Sequence, residues 1–148
     1  MYLLVLTSVR AISYNEHLRL PERRLRIDMN ELSRIIAQAA GRPRAELGLV
    51  TKLAEGGSYR IFEATFRDGL KTIARLPYPC TIPRRYGIAS EVATMELLRI
   101  HVIPVPKVLD WDASSSNQLG SEYMIMERVP GRELADTWEQ WHSRSGWP

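Results

Sequence analysis

With a single cysteine, Cys80, the 148-residue chain cannot form an intramolecular disulfide, and a reducing, intracellular compartment suits it, mitochondrial or cytoplasmic. No apolar run approaches the ~20 residues that a membrane-spanning helix needs, so no membrane partner is expected. The apolar start Met1-Tyr-Leu-Leu-Val-Leu6 is short and lacks a basic flank and a small-residue cleavage site, so a secretory signal is not expected. Charge of one sign is also scarce, because the net charge is only +3. Arg19, Arg23, Arg24, Arg26 and Arg34 are interleaved with Glu16, Glu22, Asp28 and Glu31. Nucleic-acid binding needs a denser basic stripe or an aromatic platform, so it is not expected. The arginines up to Arg44 partly suit a mitochondrial address, although the interspersed acids count against it.

What remains is the composition of an ordinary folded domain, with 45% hydrophobic and 25% charged residues. Residues 1–27 show no strong period and are expected to wrap or hang from the domain. Asp28 and Glu31 have capping-box spacing, and Leu32, Ile35, Ile36 and Ala39 follow at i, i+3, i+4 and i+7. Gly41 and Pro43 close this helix in the expected order. A β-rich run follows through Ile61, Ala64 and Phe66, a turn at Arg67-Asp-Gly69, and a strand over 71–76. Pro77, Pro79 and Pro83 keep the next loop irregular. Residues 89–100 read as a helix with Val92, Met95, Leu98 and Ile100 largely on one side. Residues 108–111 and 123–126 are two further strands, joined by a polar loop over 112–120. The tail from Glu133 to His142 can begin another helix.

Four features along this order point to one kind of chemistry. Gly56 and Gly57 remove side chains where one strand turns into the next, so that backbone amides can approach an anion; an ordinary hairpin turn is the plainer reading. The pattern is neither G-x-G-x-x-G nor a G-K-[ST] loop. Arg75 is the basic residue in the otherwise apolar stretch Thr72-Ile-Ala-Arg-Leu76 and can pair a phosphate; an edge-strand charge pointing to water is the alternative. Glu91 lies in the first turn of the predicted helix as its counter-charge, with Glu96 as the competing acid. At the end of the last strand, the Glu127 carbonyl and the Val129 amide can meet an adenine edge before Pro130-Gly131 turns the chain away.

The resemblance is carried by Thr51-Lys-Leu-Ala-Glu-Gly-Gly57, Ile73-Ala-Arg-Leu-Pro77, Ala89-Ser-Glu-Val-Ala-Thr-Met95, Ile103-Pro-Val-Pro-Lys-Val-Leu109 and Glu122-Tyr-Met-Ile-Met-Glu127. In these blocks the chain resembles fungal aminoglycoside phosphotransferase/choline kinase-like proteins of the altered-inheritance-of-mitochondria type. Tyr14-Asn-Glu-His-Leu-Arg-Leu20 resembles that group's leader. The resemblance implies a protein-kinase-like small lobe of α+β class: a five-stranded antiparallel sheet with one packed helix and an N-terminal helical extension. It implies a nucleotide site in which Gly56, Gly57 and Ser58 form the phosphate loop and Arg75 pairs with Glu91. Met126 would line the adenine slot, and Glu127 and Val129 would offer backbone bonds. ATP or GTP would be the phosphate donor and a small hydroxylated molecule the acceptor. Relatives commonly carry Phe-Asn after the two glycines, where this chain has Ser58-Tyr59.

Members of that group use an H-x-D loop and an acidic metal site in a large lobe. Here His17, His101 and His142 are each followed by other residues, and Asp110, Asp112 and Asp136 are scattered. The expected division is therefore an extension over 1–45, the nucleotide lobe over 46–131, and an altered or truncated start of a large lobe over 132–148. No catalytic or metal-ligating residue is assigned, and magnesium would bind only with a large lobe supplied. A non-catalytic nucleotide-binding or protein-interaction module is the alternative, in which a large lobe or partner protein covers the exposed sheet face, and Trp138, Trp141 and Trp147 would add to its apolar surface. A domain with no ligand is the third reading.

Overall fold

A computed structural model of the chain describes residues 3–6, 25–80 and 84–131. Strand β1 (Leu3–Leu6) pairs antiparallel with β2 (Leu25–Asp28), Leu3 opposite Asp28 and Leu6 opposite Leu25. Within the leader expected to be irregular over 1–27, residues 3–6 and 25–27 are instead paired strand, and the others lie outside the described residues. The two strands meet across a long connection, and such non-local pairing leaves no period in a local window.

Helix α1 (Met29–Ala39) starts where the sequence places it. The Asp28 carboxylate accepts from the Asn30 amide at 2.9 Å and the Glu31 amide at 3.4 Å, satisfying donors of the first turn. Glu31 does not complete a capping box. Its carboxylate is instead held by Arg34 one turn on, at 2.6 Å, since the guanidinium outcompetes a neutral amide for it. The helix ends at Gly41, whose φ of 65° is left-handed. The Gly41 amide donates to the Gln38 carbonyl and the Arg42 amide to the Ala37 carbonyl, a Schellman closure.

After a 3₁₀ turn (Arg44–Glu46) come β3 (Leu47–Glu55), β4 (Tyr59–Phe66) and β5 (Lys71–Pro77). Helix α2 (Tyr86–Ile100), β6 (Val108–Asp112) and β7 (Tyr123–Glu127) complete the described residues. Strands β3 to β7 form one antiparallel five-stranded sheet in the order β3-β4-β5-β7-β6. This is the α+β small-lobe architecture expected from the sequence. Strand β5 is central, so the edge-strand alternative for Arg75 is overturned.

Strand alternation divides the buried side chains between two faces. Phe62, Ala64, Phe66, Ala74, Leu76 and Ile125 pack with Leu32, Ile35 and Ile36 of α1. On the opposite face, Ile73, Met124 and Met126 pack with Ile88 and Val92 of α2. Helix α1 is therefore part of the lobe's core.

Helix α2 begins three residues earlier than predicted. Its entry is set by the loop before β7: the Arg85 amide, at φ 65°, donates to the Glu122 carboxylate at 3.1 Å. The predicted apolar side of α2 holds for Val92 and Met95 but not for Ile100, which is 75% exposed because the helix runs past the sheet there.

Ile36 is completely buried between α1 and the sheet. Ile36→Ala is expected to cost about 2–4 kcal/mol of unfolding free energy, read from denaturant midpoints, with one cooperative transition. A loss below about 1 kcal/mol would mean that α1 is only appended to the lobe.

Candidate functional site

Tyr59 and Arg60 are the first residues after the Gly56-Gly57-Ser58 turn, and alternation sends them to opposite sheet faces. Each meets a glutamate there. On the α2 face, Arg75 of β5 forms an ion pair with Glu91 through Nη1 and Oε1. Its guanidinium carbon lies 4.4 Å from the centre of the Tyr59 ring. The Tyr59 hydroxyl donates to the other Glu91 oxygen at 3.4 Å. The side chains of Arg75 and Glu91 keep 23% and 28% exposure, so a solute can reach the pair. Glu91 sits in the second turn of the helix rather than the first, because α2 starts at Tyr86. Glu96 is exposed and makes no ion pair among the described residues, which decides between the two candidate acids for Arg75.

Burial pushes the Tyr59 phenol above its ordinary range, and the Glu91 charge adds to this against the opposing pull of Arg75. The hydroxyl therefore stays protonated near neutral pH and can act as the donor. Within the Arg75 guanidinium, Nε is buried without a partner and Nη2 makes no hydrogen bond among the described residues.

On the α1 face, Glu55 gathers donors from three elements of the chain. Arg60, fully buried, reaches it at 2.6 Å, the Tyr78 hydroxyl at 2.7 Å and Lys52 at 3.1 Å. Burial disfavours the Glu55 carboxylate, but these hydrogen bonds, led by Arg60, outweigh it and hold the carboxyl at about 2. The network fixes both ends of the glycine turn, since Glu55 precedes it and Arg60 follows it. The turn itself is closed by the Gly56 amide donating to the Tyr59 carbonyl at 3.0 Å, and the Ser58 carbonyl accepts from the Tyr78 amide at 2.9 Å. A Cβ at Gly57 would meet nothing within 4 Å, and neither turn glycine has a positive φ. The fold alone therefore does not require glycine at Gly57.

Met126 is buried opposite Ile73, two residues along β5 from Arg75 and hence on the same face, about 7 Å away along the strand. The Glu127 amide donates to the Lys107 carbonyl at 3.0 Å, and its carboxylate accepts from the Lys107 amide at 2.8 Å. The Val129 carbonyl accepts from Arg128, whereas the Val129 amide makes no hydrogen bond among the described residues. Arg128 and Lys71 both hold Glu63, at 3.0 and 2.9 Å, and depress its carboxyl pKa, Lys71 most. This fixes the chain where it leaves β7.

Asp110 and Asp112 serve the fold. Asp110 accepts from the Tyr123 hydroxyl and the Trp111 amide, and Asp112 accepts from Ser114 and Asn117. No cluster of three or more His, Cys, Asp or Glu side chains placed to hold a metal ion exists among the described residues. Asp136, His17, His142 and the tail tryptophans lie outside those residues; His101 is exposed at the end of α2. A cavity of about 270 Å³ lies next to the β5 end, between Pro77, Tyr78, Arg84 and Glu122, and none of the sequence-predicted site residues lines it.

The structure thus brings Arg75 and Glu91 together, places the glycine turn one residue from Tyr59, and puts Met126 on the same face. A family model described as the phosphotransferase enzyme family matches residues 49–146, which covers the whole of this arrangement. The chain belongs to that phosphotransferase family. It is 44% identical over 90 residues to a subtelomeric hrmA-associated cluster protein of Aspergillus fumigatus, a match covering 60% of this chain and 18% of that protein. It is 36% identical over 93 residues to altered inheritance of mitochondria protein 9, mitochondrial, of Yarrowia lipolytica, covering 57% of this chain and 16% of that one. The protein of the same name in Candida tropicalis is 32% identical over 92 residues, covering 60% and 15%. The chain spans less than a fifth of the length of these relatives.

Sequence reasoning missed Tyr59, Glu55, Arg60 and Glu122. Tyr59 had one available signal, its i, i+2 alternation with Ile61 and Glu63 directly after the turn.

Because the Glu55 carboxyl is depressed from an ordinary value of 4.5 to about 2, its contribution to stability is complete above pH 4.5 and is lost as pH falls towards 2. Glu55→Gln is expected to flatten the decline in melting temperature between pH 4.5 and 2 while lowering stability at pH 7. An unchanged acid slope would remove Glu55 as its source, leaving Glu63 and Glu31, whose carboxyls are also depressed.

Proposed function

We propose that this lobe binds a nucleoside triphosphate, ATP or GTP, for a phosphotransferase that acts on a small hydroxylated molecule. The observation that carries this reading is the Arg75–Glu91 pair, a half-buried cation on the central strand held by an acid on the packed helix. A phosphoryl-transfer site works mainly by positioning and by offsetting phosphate charge, and such a pair supplies a fixed positive charge. An arginine with an uncommitted Nη2 can donate to a phosphate oxygen while Glu91 keeps its plane. The open space over Gly57 and the unbonded Val129 amide fit the two ends of a nucleotide.

Transfer itself needs a base to place the acceptor and metal ions on the phosphates. None of the three histidines begins an H-x-D, and Asp110 and Asp112 are occupied in structural hydrogen bonds, so the proposal takes those groups from elsewhere than this arrangement. Magnesium belongs to the same proposal, bound only once a large lobe is supplied. A mitochondrial location belongs to the same proposal, supported by relatives named as mitochondrial.

One observation favours a second reading, that of a protein-interaction module. Leu97, Ile100, Val102 and Ile103 are exposed together at the end of α2. Val102, 89% exposed, holds a φ of 59° that a β-branched residue adopts only at a cost. An apolar cluster of this kind suits a protein contact.

Calorimetric titration of the full chain with ATP and with GTP separates the readings. Binding is expected, with Arg75→Glu weakening it at least about tenfold, the loss of one charge-assisted contact. Unchanged affinity in a folded Arg75→Glu protein would remove Arg75 from the site, and failure of the parent to bind either nucleotide would overturn the nucleotide reading and leave the interaction module.

A further inference from the structure

The geometry points to Tyr59 as a positioning residue that fixes the plane of the Arg75 guanidinium for phosphate capture. This rests on the nucleotide reading above and deepens it. An arginine side chain is rich in rotamers, and one carboxylate contact leaves the guanidinium free to turn about that contact. Here the second constraint is an aromatic face. The ring centre lies 4.4 Å from the guanidinium carbon, and the same residue's hydroxyl reaches the Glu91 oxygen that Arg75 leaves unused. Tyr59 therefore orders both members of the ion pair. With Nη1 on Glu91 and Nε buried, Nη2 is the donor left for an anion.

The same residue also belongs to the glycine turn. Its carbonyl accepts from the Gly56 amide at 3.0 Å, closing the turn that leads into β4. Tyr59 thus ties turn, strand cation and helix acid through three separate groups: carbonyl, ring and hydroxyl. Tyr59 also packs against the apolar cluster of Ile73, Ile88 and Val92, so it serves the core and the cation together. The pairing with the cation matters because arginine rather than lysine stands on β5. A planar guanidinium stacks on an aromatic face while keeping its edge donors, which a compact ammonium does not do.

The test uses the full chain with Tyr59→Phe, which keeps the ring, and Tyr59→Leu, which keeps bulk without an aromatic face. Proton NMR of the free protein should show Arg75 side-chain resonances shifted upfield by the ring, retained in Tyr59→Phe and lost in Tyr59→Leu. In titrations, Tyr59→Leu is expected to weaken ATP about three- to tenfold and to leave adenosine unchanged, whereas Tyr59→Phe stays within about twofold of the parent for both. A structural role would instead weaken adenosine and ATP alike, and that result overturns the proposal. So does the absence of the ring shift in the parent protein, which needs no variant to fold. ATP binding that Tyr59→Leu leaves unchanged overturns the Tyr59 role alone. Failure of the parent to bind ATP overturns the nucleotide reading and the capture role with it.

Discussion

The two-sidedness of the central strand is the constraint on which the arrangement depends. Residues of β5 alternate between a face sealed by α1 and a face shared with α2, so Ala74 and Leu76 enter one core while Ile73 and Arg75 turn to the other. Central position gives β5 a hydrogen-bonded neighbour on each side, β4 and β7, which removes freedom along and across the sheet. A cation placed there inherits that rigidity at its Cα. What remains is the long side chain, and the packing of α2 against β6 and β7 brings Glu91 to meet it. A one-residue slip of β5 would exchange the faces and put Arg75 into the α1 core, so the hydrophobic pattern that fixes register also fixes the site.

The glycine turn is governed by the opposite arrangement, an acid that collects donors. Glu55 ties Lys52 on its own strand, Arg60 on the next and Tyr78 beyond β5 to one carboxylate. Burying a guanidinium completely is costly unless it is paired, and Arg60 is paired only through Nη2. The carboxylate it faces also accepts from Tyr78 and Lys52, and the Tyr78 ring centre lies 5.5 Å from the Arg60 guanidinium carbon. The turn between these anchored ends is short and exposed, with open space over Gly57, which is the combination needed for a backbone that must approach an anion.

Much of this was legible in the sequence because much of it is local. The Asp28 cap, the Gly41 closure and the Arg67-Asp-Gly69 turn are decided by residues within a few positions, and each stands where the spacing placed it. Arg75 was legible because a lone cation in an apolar strand has few uses, and the acid in the following helix is a natural partner. The β1–β2 ribbon was not legible, since its hydrogen bonds join strands whose separation no short window spans. Glu122 was missed for the same reason, acting on Arg85 across 37 positions. Tyr59 was missed for a different reason: a tyrosine in a β-rich run is ordinary strand filling, and only the third dimension shows what lies beneath its ring.

The exchange of residue types around the ion pair is coherent when Arg75 and Tyr59 are considered together. An ammonium at Arg75 would be a point charge, satisfied by Glu91 and solvent, and an aromatic neighbour would add little orientation. A guanidinium has a plane, and a plane needs to be fixed if one edge is to face an acid and another a ligand. The ring of Tyr59 provides a face 4.4 Å from the guanidinium carbon, and its hydroxyl donates to the acid at the same time. On the proposed role of Tyr59, that residue and the arginine on β5 are two halves of one arrangement. Each would be a weaker choice without the other, because the ring would lose its cation and the cation its plane.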